Sequence, residues 1–291
     1  MITAFVESVA VVGPGLTGWN KAASVLRAPV TYLPSAVSLD NAGSMSANEH
    51  RRTTPLIRLA LQVLGQLSTE SSLDLSAATA IFATSWGDAR VVDTVLCALT
   101  VPGSPVSPVH FHNIVHNTPA GYWSIGSGAR GPSTSLTAAD ATVAAGLIEA
   151  FVCLGDADAP VLLVFYDHPL PESWDQFHHI EAPFAAAVTL TAAPTERCRC
   201  ALRLEIIPEQ PETRMAHPGL ERLRIGNPVA RALPLLEAIA TGVPGRVFLP
   251  SNIGRSSLAI DVSPVAEQRQ HGDAAPEERA LAAIDMTSSA A

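Results

Sequence analysis

His110, His112 and His116 fall within seven positions and form the densest cluster of side chains able to shuttle a proton or bind a metal. Glu and Cys partners are absent nearby, and His110 and His112 share a face only if the backbone there is extended. Metal binding, polar packing at a subunit interface and plain surface exposure are the three roles open to them. Lys21 is the only lysine, so any mechanism needing a second one is excluded. Of the thiols Cys97, Cys153, Cys198 and Cys200, the last two sit two residues apart on an expected strand and read as packing groups. No Gly-x-Ser-x-Gly elbow is present to present a serine nucleophile. Gly13-x-Gly15-x-x-Gly18 formally matches a dinucleotide fingerprint, but Pro14 removes a backbone N–H from the cradle. A strand-ending turn is the better reading. No cofactor and no metal are expected.

The elements that must carry these residues can be read from periodicity. Apolar runs predict strands at 5–12, 79–84, 133–138, 160–166 and 184–191. Thr54-Pro55 reads as an N-cap with proline at the first helical position, opening a helix whose polar stripe is Arg58, Gln62 and Gln66. A short helix is expected over 20–27, and another over 88–99 burying Val91, Val92, Val95, Leu96 and Leu99. The segment from His110 to Ser135, rich in His, Asn and Gly, reads as a loop until its last residues. A further helix, 141–154, is apolar all round apart from Glu149 and is expected to be buried on every side. The order β-α-β-α-β-α-β-β predicts an α/β layer with a largely parallel sheet. Beyond it lie a strand at 200–206, a helix over 228–240 interrupted by Pro234, and a last strand at 257–262. Residues 1–262 are expected to form one domain, and 263–291 a disordered tail with a short helix over 276–286.

Composition narrows the class of function. Of 291 residues, 47% are hydrophobic and 15% charged, enough for a large core. Eighteen basic against 27 acidic residues give a net charge of −9, which argues against nucleic acid or an anionic membrane as partner. The apolar start carries Glu7 and no basic flank, so no export signal is read and a cytoplasmic location is expected.

From Asn113 onward the residues resemble the β-ketoacyl synthase family, of thiolase-like fold. The resemblance rests on Asn117, Ala120-Gly121, the run Arg130-Gly131-Pro132-Ser133, the short strand after it, and the buried helix opening at 140. The first strand and its Gly-rich turn are similar to the opening of these synthases. The resemblance implies a half-thiolase of β-α-β-α-β-α-β-β order with a reduced C-terminal cover. Within the family, Phe111-His112-Asn113, Val115-His116-Asn117, Ala120 to Ile125 and Asp140-Ala141 are most similar to the short chain-length-factor-like subunits of aryl polyene pigment pathways. Asn227-Pro228-x-Ala230-Arg231 is similar to them too.

Two departures shape the implied function. The family's nucleophilic cysteine position falls on Asp140, and a carboxylate cannot form the acyl thioester. The family's two catalytic histidine motifs have no counterpart in the later sequence. The resemblance therefore implies a non-catalytic subunit that pairs with an active β-ketoacyl-ACP synthase and shapes its acyl tunnel, in polyketide or fatty-acid-like biosynthesis. It further implies a heterodimer formed across the 133–138 strand, with Phe111, His112, Asn113, His116, Asn117, Tyr122, Ser135, Thr137 and Asp140 at the interface or tunnel. Acyl carrier protein would engage indirectly through the partner, since seven acids and no Lys or Arg lie between Glu149 and Glu181. Asp140 has a simpler reading as a helix N-cap. An independent small acyltransferase or decarboxylase using Asp140 and a loop histidine is the alternative.

Overall fold

The structure is a computed structural model that describes residues 2–39, 51–156, 159–174 and 176–265. It opens with β1 (Thr3–Gly13), whose apolar run is buried along nearly its whole length. Gly13-Pro14-Gly15 then reverses the chain into the two-residue β2 (Leu16–Thr17), which pairs back on β1. Gly15 has φ +70°, and a Cβ there would lie 2.2 Å from the Leu33 carbonyl oxygen, so only glycine fits. The glycine pattern is thus a hairpin turn, as its proline suggests. Next come α1 (Trp19–Arg27) and α2 (Pro55–Glu70). Thr54 caps α2, its hydroxyl accepting from Ile57 N at 3.2 Å with Pro55 at the first turn.

After β3 (Thr79–Ala83) and α3 (Ala89–Thr100), the expected loop proves to hold two helices, α4 (Pro108–Asn113) and α5 (Thr118–Ser127). Both start on the Ser/Thr-Pro signal that marks α2, here hidden in a His- and Gly-rich composition. The edge strand β4 (Ser133–Leu136), α6 (Thr142–Asp156), β5 (Val161–Asp167) and β6 (Phe184–Thr191) complete the expected order. The C-terminal part adds β7 (Cys200–Pro208), α7 (Pro218–Gly226), a 3-10 turn at Pro228–Ala232, α8 (Leu233–Thr241), β8 (Gly245–Pro250) and β9 (Ser256–Ser263). Cys198 lies in the turn before β7, where its sulfur accepts from Thr195 N, while Cys200 alone is in the strand. Residues 266–291, including the expected tail helix, lie outside the described residues.

The nine strands form one sheet in the order β4-β3-β5-β6-β1-β7-β9-β8, with β2 beside β1. It is mixed rather than largely parallel: β3 pairs parallel with β4 and β5, and the other pairings are antiparallel. The reason is the 168–183 connection, which carries no α-helix to bring β6 back parallel to β5. Alternate residues feed two cores. Val9, Val11, Leu163, Phe165 and Ala186 meet α1, α6 and α8 on one face. Ala10, Val12, Leu162, Val164 and Ala187 meet α2 and α5 on the other. The polar stripe of α2 is not wet throughout: Gln62 is buried and its amide donates to Ser38 O at 3.1 Å. Glu7, in the middle of β1, is accommodated because its carboxylate accepts from Ser72 N and from the hydroxyls of Ser71 and Ser72. Burial pushes its pKa up, and these bonds outweigh that and hold it down.

The reduced cover is present, and it also widens the sheet. Leu233, Leu235 and Leu236 join the core that holds Val143, Ala144 and Leu147 of α6, with the 228–232 turn against α6 and α8 chiefly against α1. Asn227 holds the turn in place, its oxygen accepting from Val229 N and Ala230 N and its amide donating to Ala182 O. Asp167, at the end of β5, ties that strand to the end of β3: its buried carboxylate accepts from Thr84 Oγ1 (2.7 Å), Ser85 N (2.9 Å) and Ser85 Oγ (2.6 Å). Burial pushes its pKa up to about 6 against those bonds. Two expectations fail here. Helix α6 is not buried on every side, since Val152 is 58% exposed. In α3, Val91 and Val95 are buried, but Leu96 and Leu99 stand in solvent because no element lies over them.

Close approach of α6 to the sheet depends on Gly146, where a Cβ would lie 2.7 Å from a Phe165 ring carbon and 3.2 Å from Leu163 Cδ1. Gly146→Ala should therefore lose about 1–2 kcal/mol in urea denaturation, overpacking outweighing the better helix propensity of alanine. The Asp167 carboxyl binds its proton more tightly in the folded chain than in the unfolded one, so its share of stability is full at low pH. That share is lost as pH rises from about 4 through about 6. In urea melts, Asp167→Asn should gain on the parent protein as pH goes from about 4.5 to 7; a difference independent of pH would count against this assignment.

Candidate functional site

The strand-to-helix turn after β4 is the most strained backbone described. Ala139 has φ +47°, the one positive φ at a non-glycine among the described residues, a conformation costing about 1–2 kcal/mol. The Thr142 hydroxyl holds it, accepting from Ala138 N at 3.1 Å and donating to Ala139 O at 2.7 Å. Asp140 follows in a 3-10 turn that runs straight into α6. It does not act as the N-cap: no side chain caps that turn, and Ala138 occupies the cap position. Instead its Oδ1 lies 3.4 Å from a guanidinium nitrogen of Arg231, with just over half of its side chain exposed.

Arg231 is the end of a charge relay built by the C-terminal segment. In α7, Glu221 and Arg224 are three residues apart and pair through two nitrogens at 2.8 and 2.9 Å. Arg224, almost fully buried, also reaches Glu212 Oε2 at 2.6 Å, and the same oxygen takes Arg231 at 2.5 Å. These bonds, those to Glu221 first, hold the Arg224 pKa up against the opposing effect of burial, and the pairing with Arg224 holds Glu221 down. The guanidinium of Arg231 is thus fixed from behind before it meets Asp140. A carboxylate paired this way is an acceptor and a fixed charge; the cation beside it is arginine, not a histidine that could pass a proton at neutral pH. In the sequence Arg231 stands out only within a run similar to the family's. Of the network only the Glu221–Arg224 pair carries a spacing signal; Glu212, Arg231 and Asp140 come from separate segments.

The histidines do not converge as a metal site. His110 and His112 lie on α4 two residues apart, so they point to different sides of a helix rather than sharing a face. Among the described residues no group of three or more His, Cys, Asp or Glu could hold a metal ion. His112 packs edge-on against Tyr122 of α5, ring centroids 6.0 Å apart, beside the two-thirds-exposed Phe111. His116 and Asn117 are exposed in the turn between α4 and α5. His178 packs on Trp86 with centroids 5.0 Å apart. Asn113 turns inward, its amide donating to Arg52 O at 2.7 Å. Ser135 lies on β4 and Thr137 just past its end. The acidic run is not one solvated face: Asp167 is buried, and Glu181 pairs with Arg222.

The two ends of the sheet differ. At β8 the neighbouring segment covers the edge, with Thr213 N donating to Phe248 O at 3.0 Å and Phe248 N to Thr213 Oγ1 at 2.9 Å. At the other end β4 pairs with β3 on one side, and no described strand pairs with the other. α5, which contacts β4, exposes Ile125, and large apolar side chains are also exposed at Phe111 on α4, Leu96 and Leu99 on α3, and Val115 between helices.

A family profile described as "Beta-ketoacyl synthase, N-terminal domain" matches residues 19–227. No curated protein matches the chain. Among solved structures, the fold is similar to a ketosynthase in complex with its chain length factor from Xenorhabdus doucetiae, at 18% identity and TM-score 0.66. That match covers 90% of this chain and 100% of the other. A type II polyketide acyl-carrier protein in complex with its ketosynthase, AntDE:AntF, matches at 12% identity and TM-score 0.67, covering 91% and 99%. The ishigamide ketosynthase/chain length factor matches at 13% and 0.66, covering 89% and 98%. With the profile spanning more than two thirds of its length and the sheet and helices in the same thiolase-like arrangement, the chain belongs to the β-ketoacyl synthase family through its N-terminal domain.

Proposed function

We propose that this chain is a non-catalytic, chain-length-factor-like subunit that pairs with an active β-ketoacyl-ACP synthase and helps shape its acyl tunnel. Residues 1–262 act as one ketosynthase-like domain, and the pathway is of polyketide type, aryl polyene synthesis being the closest fit to the motifs. The observation that carries this reading is the open β4 edge with its small Ser and Thr side chains. α5, which packs on it, leaves Ile125 in solvent, Phe111 on α4 and Leu96 and Leu99 on α3 are exposed as well, and the opposite edge is covered. An unpaired edge beside exposed apolar side chains is a surface that asks for a second chain. Asp140 adds the second support: at the turn where the family presents its nucleophile, the side chain is an ion-paired carboxylate. The solved neighbours named above include ketosynthases bound to chain length factors, which fits the same reading. Carrier protein would then dock mainly on the partner. The acyltransferase or decarboxylase alternative needs an imidazole next to Asp140, where Arg231 stands.

Co-expression with an active β-ketoacyl-ACP synthase of a polyene-type pathway should yield a heterodimer. Phe111→Asp and Ile125→Asp should each weaken it by at least about tenfold in Kd, the ~1.4 kcal/mol expected of a moderately important interface side chain. Two non-interacting monomers would refute the pairing. Intact-mass spectrometry after incubating the chain alone with acyl carrier substrate should show no acyl adduct, and a stoichiometric adduct would overturn the non-catalytic assignment.

A further inference from the structure

One flank of α6 is left uncovered by the described elements. A groove of about 330 Å³ runs there between Phe151 and Val152 of α6, Leu204 and Ile206 of β7, Leu258 of β9 and Ile2 ahead of β1. Its wall is aliphatic and aromatic apart from Glu205, whose carboxylate is paired with Arg246. Ile2 packs into the wall at the end of α6, where a Cβ on Gly155 would lie 3.3 Å from its Cδ1. Three of the large aliphatic side chains around the groove stand largely in solvent: Val152 is 58% exposed, Ile206 51% and Ile2 46%. Single exposed aliphatics are ordinary, but several converging on one groove mark a surface that something covers. With its one charge already paired, the lining suits an apolar surface and not a polar ligand.

What covers it follows from where the last strand ends. Ser263 of β9 pairs with Ala201, and Leu204 of the groove lies three residues further along β7, about 10 Å away. Val265 is the last described residue, and 266–291 follow it. Fully extended, 266–275 spans up to about 33 Å, well beyond that distance. The segment after it, 276–286, has the sequence marks of a short helix: Pro276 at the first position and Glu277 and Glu278 in the first turn. Leu281 and Ile284 are three residues apart, so a helix would put them on one side together with Ala280. So short a helix is marginal alone in water and needs a surface for its apolar side. A short tether gives that segment a local concentration in the millimolar range, far above that of a second copy in dilute solution. We propose that residues 276–286 fold back as a helix onto this groove, with Leu281 and Ile284 seated against Val152 and Ile206, and complete the cover of α6. The contact lies within one chain and is independent of the subunit pairing proposed above.

Hydrogen exchange read by mass spectrometry on the full-length chain tests this. Amides of 276–286 should exchange about tenfold or more slowly than in a free peptide of the same sequence. Val152→Asp places a charge in the groove at an exposed position, so the chain should still fold, checked by its melting temperature. In that variant the same amides should return to the free-peptide rate. Ile206→Asp is the second groove variant should the first be unstable, and it should act alike. Exchange of 276–286 at the free-peptide rate in the parent chain, or protection that survives both groove variants, would overturn the proposal. So would protection lost on dilution in step with a dimer seen by sedimentation, because that outcome puts a second copy in the groove.

Discussion

A sheet that is apolar on both faces cannot be left half covered, and most of this structure answers that demand. β1, β5 and β6 are buried almost residue for residue, alternate side chains pointing to opposite cores. Each buried aliphatic side chain is worth about 1.5–3 kcal/mol, so an uncovered face would remove most of a domain's marginal stability. α2 and α5 serve one face. The other would be left to α1 and α6, had the chain not returned with the 228–232 turn and α8. Asn227 is where this return is fastened, its amide donating to Ala182 O before β6 and its oxygen accepting from Val229 N and Ala230 N.

How much of this could be read from residue order varies with the type of signal. Strands with alternating or continuous apolar runs and the Thr54-Pro55 cap stand out, because local periodicity and capping are properties of neighbouring residues. α4 and α5 do not, since their His-, Asn- and Gly-rich composition masks two proline-initiated helices. Strand direction depends on whether a helix fills the 168–183 connection, a long-range consequence of a short segment. The exposure of Leu96, Leu99 and Val152 has the same origin: a helix's apolar pattern says which side wants cover, not whether cover exists. In the site, Asp140 stands out in the sequence as a position, but Arg231 does not. Its partners Asp140 and Glu212 lie in other segments, and spacing carries no trace of them.

The strained turn at Ala139 shows how geometry and chemistry separate within a fold. Holding a non-glycine residue at positive φ is unfavourable, and a single hydroxyl, that of Thr142, keeps it there from both sides. What the turn displays is a carboxylate answered by a guanidinium, itself anchored by Glu212. A strained turn can thus hold a side chain in place without giving it a proton-passing neighbour.

The unequal ends of the sheet have a consequence for assembly size. A strand edge that adds a neighbour can in principle keep adding, as fibrils do, when both ends of the sheet are available. Here the β8 end is closed by the segment around Thr213, so only the β4 end remains to grow. Once a second sheet joins at β4, an assembly of two such one-ended bodies has no edge left to extend. In the pairing proposed above, the stoichiometry is limited by the segment that covers β8, well away from the surface where subunits would meet.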